Sequence, residues 1–294
     1  MSTSGRKKTI YFVQVLFSTV CLGWVAAALA KTDWAAVGEL LENISPEMFV
    51  SALAVFTFLY ASRLLRLRYW IHSATEKRLP WRSWIGLYLA ATALGSVTPG
   101  RLGDAAKIPL LLRTGLSLAT RGKVYLLEKA MDLAYLPAGL CLTASVVSMN
   151  LHVTERSLLY AGVTGLLLCL FVVSYFGRSL GQGALAVGWF FTAAGFFLYV
   201  IANFLLFRSL GLTLTLSDVA AVTIAVGVIA ALPISLGGLG VRELSFIAVL
   251  GIWGVSRETA APVLILEFFV NMVFPGLLYG LWRGFSICSA KGTE

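Results

Sequence analysis

The sequence predicts an all-α membrane protein that crosses the bilayer several times. Three observations lead to this fold class: 59% of the residues are hydrophobic, only 13% are charged, and the apolar residues gather in long runs. A soluble domain is about 25% charged, and its core could not bury so large an apolar fraction. The mean hydropathy of +0.86 also excludes disordered and fibrous proteins. A polytopic membrane protein is the remaining class.

The basic net charge is explained by the same class. The net charge of +9 comes from 23 Lys and Arg against 14 Asp and Glu, which on a soluble domain would suggest nucleic acid. In a membrane protein, basic residues collect in cytoplasmic loops, so we expect no nucleic-acid partner. The four cysteines and two histidines show no paired spacing. We therefore expect no disulfide, no metal ion and no cofactor.

Six apolar runs are predicted to be ordinary crossings, because each is near the roughly 20 residues that a spanning helix needs. The first, residues 9–30, follows three basic residues but is too long for the apolar part of a signal peptide. The others are residues 47–66, 133–154 extended back to about 124, 157–177, 184–207 and 259–282.

Two further apolar segments, residues 83–112 and 217–250, are interrupted by charged stretches rich in glycine and proline. Each is predicted to be either a kinked crossing or a re-entrant helical hairpin. Irregular backbone inside a bilayer is tolerated only where protein or a water-filled cavity satisfies its polar groups. The breaks should therefore face an interior site. The residues expected to shape them are Pro99, Gly100, Gly103, Pro233, Gly237, Gly238 and Gly240.

The distribution of Lys and Arg favours two hairpins. With a cytoplasmic N-terminus and two hairpins, 16 of the 23 Lys and Arg fall inside and four outside; with two full crossings the split is 13 to 7. We therefore expect six crossings plus two re-entrant hairpins, with both termini cytoplasmic. In this topology the stretch from Arg63 to Arg82 is a basic cytoplasmic loop.

The chain is predicted to consist of two related halves, residues 1–148 and 149–294. Asp104 aligns with Glu243 at an offset of 139 residues, and Leu127-Glu128 aligns with Leu266-Glu267. Each half would hold three crossings and one hairpin, so the second half would be inverted relative to the first. Inverted repeats with broken helices near the bilayer midplane are a recurring plan of secondary transporters.

Ionisable residues at membrane depth are the candidate site, because such residues are costly there and usually functional. Glu128 and Asp132 are four residues apart on one helix face, as are Glu267 and Asn271. The full set of expected substrate-binding residues is Arg101, Asp104, Lys107, Glu128, Asp132, Arg242, Glu243, Glu267 and Asn271.

The two arginines of the breaks favour binding of an anionic group. Glycines beside them can expose backbone N–H groups at half-helix starts, and Arg101 and Arg242 would add bidentate contacts to phosphate. The alternative is structural: Arg101 with Asp104, or Arg242 with Glu243, would form a salt bridge that only closes the hairpin tip. For the acids both alternatives stay open.

Three stretches carry a resemblance to a known family, the lysylphosphatidylglycerol synthase transmembrane-region family. They are Thr98-Pro-Gly-Arg-Leu-Gly-Asp104, then Leu127-Glu128-Lys-Ala-Met-Asp132, and Pro233-Ile-Ser-Leu-Gly-Gly-Leu-Gly-Val-Arg-Glu243. The resemblance covers nearly the whole chain and implies lipid translocation between leaflets. Asp104 stands where many relatives are expected to have glutamate. No soluble aminoacyl-transferase domain follows Trp282 in this sequence, so we do not expect lipid aminoacylation.

These inferences together predict a lipid flippase in a bacterial inner membrane and not an enzyme. Its substrate would be an anionic or zwitterionic phospholipid, or a polyprenyl or hopanoid-type lipid, held in a polar cavity between the hairpins. Two alternatives are an intramembrane lipid-modifying transferase or phosphatase, and a membrane subunit whose hairpins dock a partner. A homodimer and a partner from lipid biosynthesis both stay open.

Overall fold

The computed structural model describes residues 33–75, 79–97, 104–151, 154–178, 181–230 and 241–291, and these residues form helices and no strand. The helices are α1 (Trp34–Glu42), α2 (Pro46–Ala74), α3 (Trp81–Val97), α4 (Lys107–Leu110), α5 (Leu118–Leu151), α6 (Glu155–Gly177), α7 (Gln182–Ser209), α8 (Leu216–Ala230), α9 (Val241–Ile252), α10 (Arg257–Phe268) and α11 (Phe274–Lys291). A 3₁₀ turn (Leu111–Thr114) follows α4, and a π turn (Phe269–Val273) joins α10 to α11.

Four segments of the described part are long and apolar enough to cross a membrane. They are α2, α6, α7 and the stretch Arg257–Phe285, which runs from α10 through the π turn into α11. The chain is therefore an all-helical, multi-pass membrane protein. The crossing expected at residues 9–30 lies outside the described residues, and the count of six crossings and two hairpins stays a prediction.

Side-chain caps explain where several helices begin. Asp33 accepts hydrogen bonds from the N–H groups of Ala35 and Ala36 at 3.0 and 3.3 Å, and α1 starts directly after it. Pro46 opens α2, at the position where a missing N–H costs nothing. Ser256 accepts from the N–H of Thr259 at 3.3 Å at the start of α10.

Helices α2 and α7 pack against each other along their length and run antiparallel. Trp70, late in α2, donates from its indole N–H to the carbonyl of Ala184, early in α7, at 2.9 Å. Phe56, earlier in α2, contacts Tyr199, later in α7, with ring centroids 6.1 Å apart. The close approach depends on Gly188, because a Cβ there would lie 2.5 Å from the Trp70 ring.

Helices α5 and α6 form a second close pair. A Cβ at Gly162 would lie 2.5 Å from the sulfur of Cys141 and 3.0 Å from the carbonyl of Pro137, so glycine lets the backbones approach. The other face of α6 carries exposed apolar side chains, including Tyr160 and Phe171. A helix with such a face suits contact with lipid rather than water.

Hydrogen bonds join the two ends of each broken segment. Before α3, the hydroxyl of Thr75 donates to the carbonyl of Thr114, which follows α4, at 3.3 Å. In the second segment, the indole N–H of Trp253, after α9, donates to Asp218, at the start of α8, at 3.3 Å. Helices α8 and α9 also pack against each other. These contacts support the two hairpins, whose expected tips lie outside the described residues.

Several local features recur 139 residues apart. Gly115 and Gly254 both adopt left-handed backbone, with φ of 77° and 75°. Each is followed by a serine, Ser117 or Ser256, that accepts a hydrogen bond at the next helix start. In addition, α3 packs on α11 whereas α8 packs on α5, so each broken segment contacts the long helix of the other half. The division into halves 1–148 and 149–294 stays a prediction that these matches support.

The basic loop expected from Arg63 to Arg82 is wrong over its first part. Helix α2 continues to Ala74, and the guanidinium-bearing side chain of Arg66 is only 1% exposed. The physical reason is that the apolar helix face continues past Arg66 through Leu67 and Ile71, which are fully buried. Length of the apolar run alone placed the end of this helix two turns too early.

Candidate functional site

A buried ion pair joins the first broken segment to the long helix α5. The ammonium group of Lys107, the first residue of α4, donates to Oε1 of Glu128 at 2.8 Å. Both residues are nearly inaccessible, at 4% and 1% exposure. The Lys107 ammonium also lies 4.9 Å from the centre of the Tyr88 ring on α3, which adds a cation–π contact. A charged pair this deep in an apolar protein is held by its partners, not by water.

Arg66 of α2 extends this pair into a network that reaches three helices. Its guanidinium donates to Oδ1 of Asp132 on α5 at 2.5 Å and to the hydroxyl of Thr192 on α7 at 2.7 Å. It also lies 3.8 Å from Oε1 of Glu128. The Thr192 hydroxyl in turn donates to the carbonyl of Gly188 at 2.9 Å, so its lone pair is directed at Arg66. The network fixes α2, α5 and α7 around one set of charges.

Asp104 forms a further ion pair of this group, with Lys129 of α5. The pair joins the residues just before α4 to the long helix α5. Gly95, near the end of α3, leaves room for it, because a Cβ at this position would overlap the Asp104 carboxylate. The ionic cluster of the first half thus consists of Arg66, Asp104, Lys107, Glu128, Lys129 and Asp132.

A second cluster occupies the matching place in the other half. Arg242 of α9 forms an ion pair with Glu267 of α10, which is 2% exposed. The side-chain amide of Asn271 donates to Oε2 of Glu267 at 2.8 Å and to its backbone carbonyl at 3.0 Å. Glu128 and Glu267 therefore occupy equivalent positions, each bonded to a cation from the adjoining broken segment.

The π turn links the second cluster to helices of the first half. Asn271 lies in this turn, whose wider backbone ring is a common feature of functional sites in helices. The hydroxyl of Tyr60 on α2 donates to the carbonyl of Val270 at 3.5 Å, and that of Ser96 on α3 donates to the carbonyl of Met272 at 3.2 Å. Both halves therefore contribute to the surroundings of this turn.

Seven of the nine predicted binding residues fall into these two clusters. Asp104, Lys107, Glu128 and Asp132 belong to the first, and Arg242, Glu267 and Asn271 to the second. Arg101 lies outside the described residues, as do Pro99, Gly100, Gly103, Pro233, Gly237, Gly238 and Gly240, and nothing is described of the Glu243 side chain.

Sequence reasoning missed Arg66, Thr192 and Lys129 as members of the site. Arg63 and Arg66 are three residues apart and so share one helix face, and that face is continued by Leu59, Leu67 and Trp70. Extending the helix along this apolar face would have placed both arginines at membrane depth. Thr192 carried no such signal, because a single hydroxyl in an apolar helix is common.

The chemistry of these clusters favours binding of a charged group over metal coordination. Within the described ranges, no group of three or more His, Cys, Asp and Glu is arranged to hold a metal ion. The side chains present are arginine, lysine and carboxylates in tight pairs, which can exchange their partners for a phosphate or an ammonium group.

Comparison with protein families gives one match. The family model described as the lysylphosphatidylglycerol synthase TM region matches residues 11–181 and 176–278, which together cover nearly the whole chain. No curated protein matches the sequence. The matched residues include both broken segments and both ionic clusters.

Proposed function

The chain belongs to the lysylphosphatidylglycerol synthase transmembrane-region family, and from this premise we propose that it moves lipids between the leaflets of a bacterial inner membrane. The headgroup of the lipid passes through a polar path between the two hairpins, while the apolar tails stay in the bilayer. The chain acts as a transporter and does not alter the lipid covalently. We propose that both termini are cytoplasmic, as the distribution of Lys and Arg favours.

The observation that carries this proposal is the recurrence of a buried glutamate paired with a cation from the adjoining broken segment. Lys107 bonds Glu128, and Arg242 bonds Glu267. The two glutamates are 139 residues apart, the offset of the predicted repeat, whereas the two cations are not at matched positions. An ion pair that only stabilised the fold could be replaced by apolar packing at little cost. Its presence in both halves therefore supports a role in handling a charged substrate.

The lipid headgroup would move along the polar path by separating the ion pairs of the two clusters. A lipid phosphate can take the place of Glu267 on Arg242, because a guanidinium binds carboxylate and phosphate with the same planar fork. The Arg101 side chain would play the same part in the first half. Headgroup binding thus compensates the charge that the departing carboxylate leaves.

Lipid translocation by purified protein in vesicles tests the proposal. The vesicles contain a lipid with a fluorescent headgroup, and an impermeant reductant bleaches only the outer leaflet, so translocation appears as additional bleaching. Wild-type protein should accelerate this step, and Arg242→Ala should slow it by about tenfold or more, since a hydrogen bond to a charged group is lost.

Two further variants control the experiment. Arg242→Lys keeps the charge beside Glu267 but removes the planar fork, so it should fold normally and still translocate more slowly. Arg178→Ala removes a charge at the exposed end of α6, outside both clusters, and should leave the rate unchanged. Equal translocation rates in wild type and all variants would contradict the assignment of Arg242 as a ligand of the lipid phosphate.

A further inference from the structure

A narrow cleft with a volume of about 10 Å³, which side chains must widen to admit more than a water molecule, lies beside the first ionic cluster, between α2, α5 and α7. It is lined by Arg63 and Arg66 of α2, Asp132 and Tyr135 of α5, and Thr192 and Tyr199 of α7. The rings of Tyr135 and Phe196 stack along one wall with centroids 5.8 Å apart. The cleft therefore has a charged floor and an aromatic wall, the combination typical of sites for amphipathic ligands.

Arg63 is the cation of this cleft that is available to a ligand. It is half-buried and faces the carboxylate of Asp132, but it forms no direct ion pair with any residue of the described part. The Oδ1 atom of Asp132 is already bonded to Arg66. The Nε–H of Arg66 is buried and has no hydrogen-bond partner among the described residues. Two guanidinium groups thus keep unused donors beside one cleft.

The charges around the cleft do not balance. Lys129 and Asp104 neutralise each other as a pair. Three cations, Arg63, Arg66 and Lys107, then surround two carboxylates, Glu128 and Asp132. Among the described residues, one positive charge is left over. An uncompensated charge at membrane depth is unfavourable, and a single anion in the cleft would remove it.

We propose that this cleft binds the phosphodiester of an acidic, singly charged phospholipid headgroup, with Arg63 as its main ligand. The planar fork of Arg63 suits two oxygens of a phosphodiester. The inference rests on the proposed function and deepens it, because it names the substrate class and the residue that selects it.

The surroundings of the cleft suit a lipid better than a free anion. Phe190 and Phe197 of α7 are next in sequence to residues that line the cleft, and their side chains are 67% and 59% exposed. We therefore take this side of α7 as a lipid-facing surface. A lipid can therefore insert its headgroup among the charges while its tails lie against these rings. Free phosphate would leave the aromatic wall without a partner.

Competitive lipid binding tests the inference. Purified protein in micelles is offered spin-labelled phosphatidylglycerol, which carries one negative charge, or phosphatidylcholine with the same chains, which is neutral overall. Both lipids offer a phosphodiester to Arg63, but the choline ammonium of phosphatidylcholine brings another positive charge to a cleft that already has one too many. Wild type should therefore prefer phosphatidylglycerol by about tenfold. Arg63→Gln should abolish the preference, and Arg178→Gln, which removes an exposed charge elsewhere, should keep it.

A second measurement uses only the wild-type protein, so its outcome does not depend on whether a substituted variant folds. A photoactivatable phosphatidylglycerol should label peptides of α5 and α7 around Tyr135 and Tyr199. Labelling confined to other helices, or equal binding of both lipids by wild type, would overturn the inference. Displacement of the bound lipid by millimolar inorganic phosphate would assign the cleft to free phosphate and would overturn it as well.

Binding and translocation can fail separately. If the protein translocates lipid but Arg63→Gln keeps the wild-type preference, this inference is wrong and the proposed function stands. If wild type binds phosphatidylglycerol through Arg63 but translocates no lipid, the site stands and the proposed function is wrong.

Discussion

The buried charges of this protein are held by partners on other helices, so each pair ties together two parts of the chain. Lys107 and Glu128 join α4 to α5, and Arg66 joins α2 to α5 and α7. Removing one member of such a pair leaves the other charge buried without its main partner, which is far more costly than replacing both by apolar groups. Single and double substitutions can therefore separate the structural role of a pair from its proposed role in transport.

The Lys107–Glu128 pair gives the first prediction. Lys107→Met should destabilise the protein by about 3 kcal/mol, the lower end of the range for a broken buried pair, because Arg66 still lies 3.8 Å from Glu128. The thermal unfolding midpoint in detergent measures the change. The double variant Lys107→Met with Glu128→Leu should recover most of the stability and yet lack translocation. A single variant as stable as wild type would contradict the burial of this pair.

Gly95 gives the second prediction. Gly95→Ala places a methyl group where the Asp104 carboxylate lies, so Asp104 must move away from Lys129. We expect destabilisation of about 1–3 kcal/mol from overpacking, together with slower translocation. Gly38→Ala is the matched control, because a Cβ at Gly38 meets nothing within 4 Å. If both substitutions had the same effect, the close contact at Gly95 would be of no consequence.

At the residue scale, the sequence was informative where a charge interrupts an apolar run. Glu128, Asp132 and Glu267 could be selected for this reason, and Asn271 for its spacing of four residues from Glu267, which matches that of Asp132 from Glu128. Their partners could not be assigned, because the pairs connect residues on different elements. The cation that bonds Asp132 is Arg66, which lies 66 residues earlier in the chain. A sequence pattern that spans one helix cannot predict a contact between residues so far apart.

At the scale of elements, the π turn is where the two long helices differ. Asn271 lies in this turn, whereas its counterpart Asp132 lies in the regular α-helix α5. From this turn the Asn271 amide donates to the Glu267 carbonyl at 3.0 Å and to its carboxylate at 2.8 Å. A residue of the π turn therefore positions the Glu267 side chain.

The third prediction concerns this turn. Asn271→Leu keeps the size of the side chain but removes both hydrogen bonds to Glu267, which should cost about 1–3 kcal/mol because a buried acceptor is left unsatisfied. Met272→Leu, in the same turn, is the control and should be nearly neutral. Unfolding midpoints of the two variants that differ by less than measurement error would argue against a role for this amide.

Helix positions could be predicted from the sequence more reliably than helix ends. The crossings expected at 157–177 and 184–207 correspond to α6 and α7 within about one turn. The end of α2 was placed too early, because charged residues usually mark the membrane edge, whereas here the charges are paired inside the protein. The π turn has no sequence signature and could not be predicted.

At the scale of the whole molecule, the topology decides what the clusters can reach. Hydrogen bonds join the two ends of each broken segment, which supports hairpins over full crossings. In a re-entrant hairpin, the chain enters and leaves the membrane on the same side. The number of Lys and Arg on the cytoplasmic side is also larger in this topology.

Cysteine accessibility in intact cells gives the fourth prediction. In a background without native cysteine, reporters at Leu118 and Arg178 should be protected from an impermeant thiol reagent, and reporters at Arg156 and Arg208 should react. Two full crossings would reverse all four results. Reporters at Thr75 and Arg257 are controls, because their sides are the same in both topologies.

The central claim is that this chain moves lipid from one leaflet to the other without altering it. The most direct measurement is the translocation rate of a headgroup-labelled acidic phospholipid in vesicles with and without purified wild-type protein, followed by mass analysis of the recovered lipid. We predict a rate well above that of protein-free vesicles and a lipid of unchanged mass. A rate equal to that of protein-free vesicles, or a covalently modified lipid, would contradict the claim.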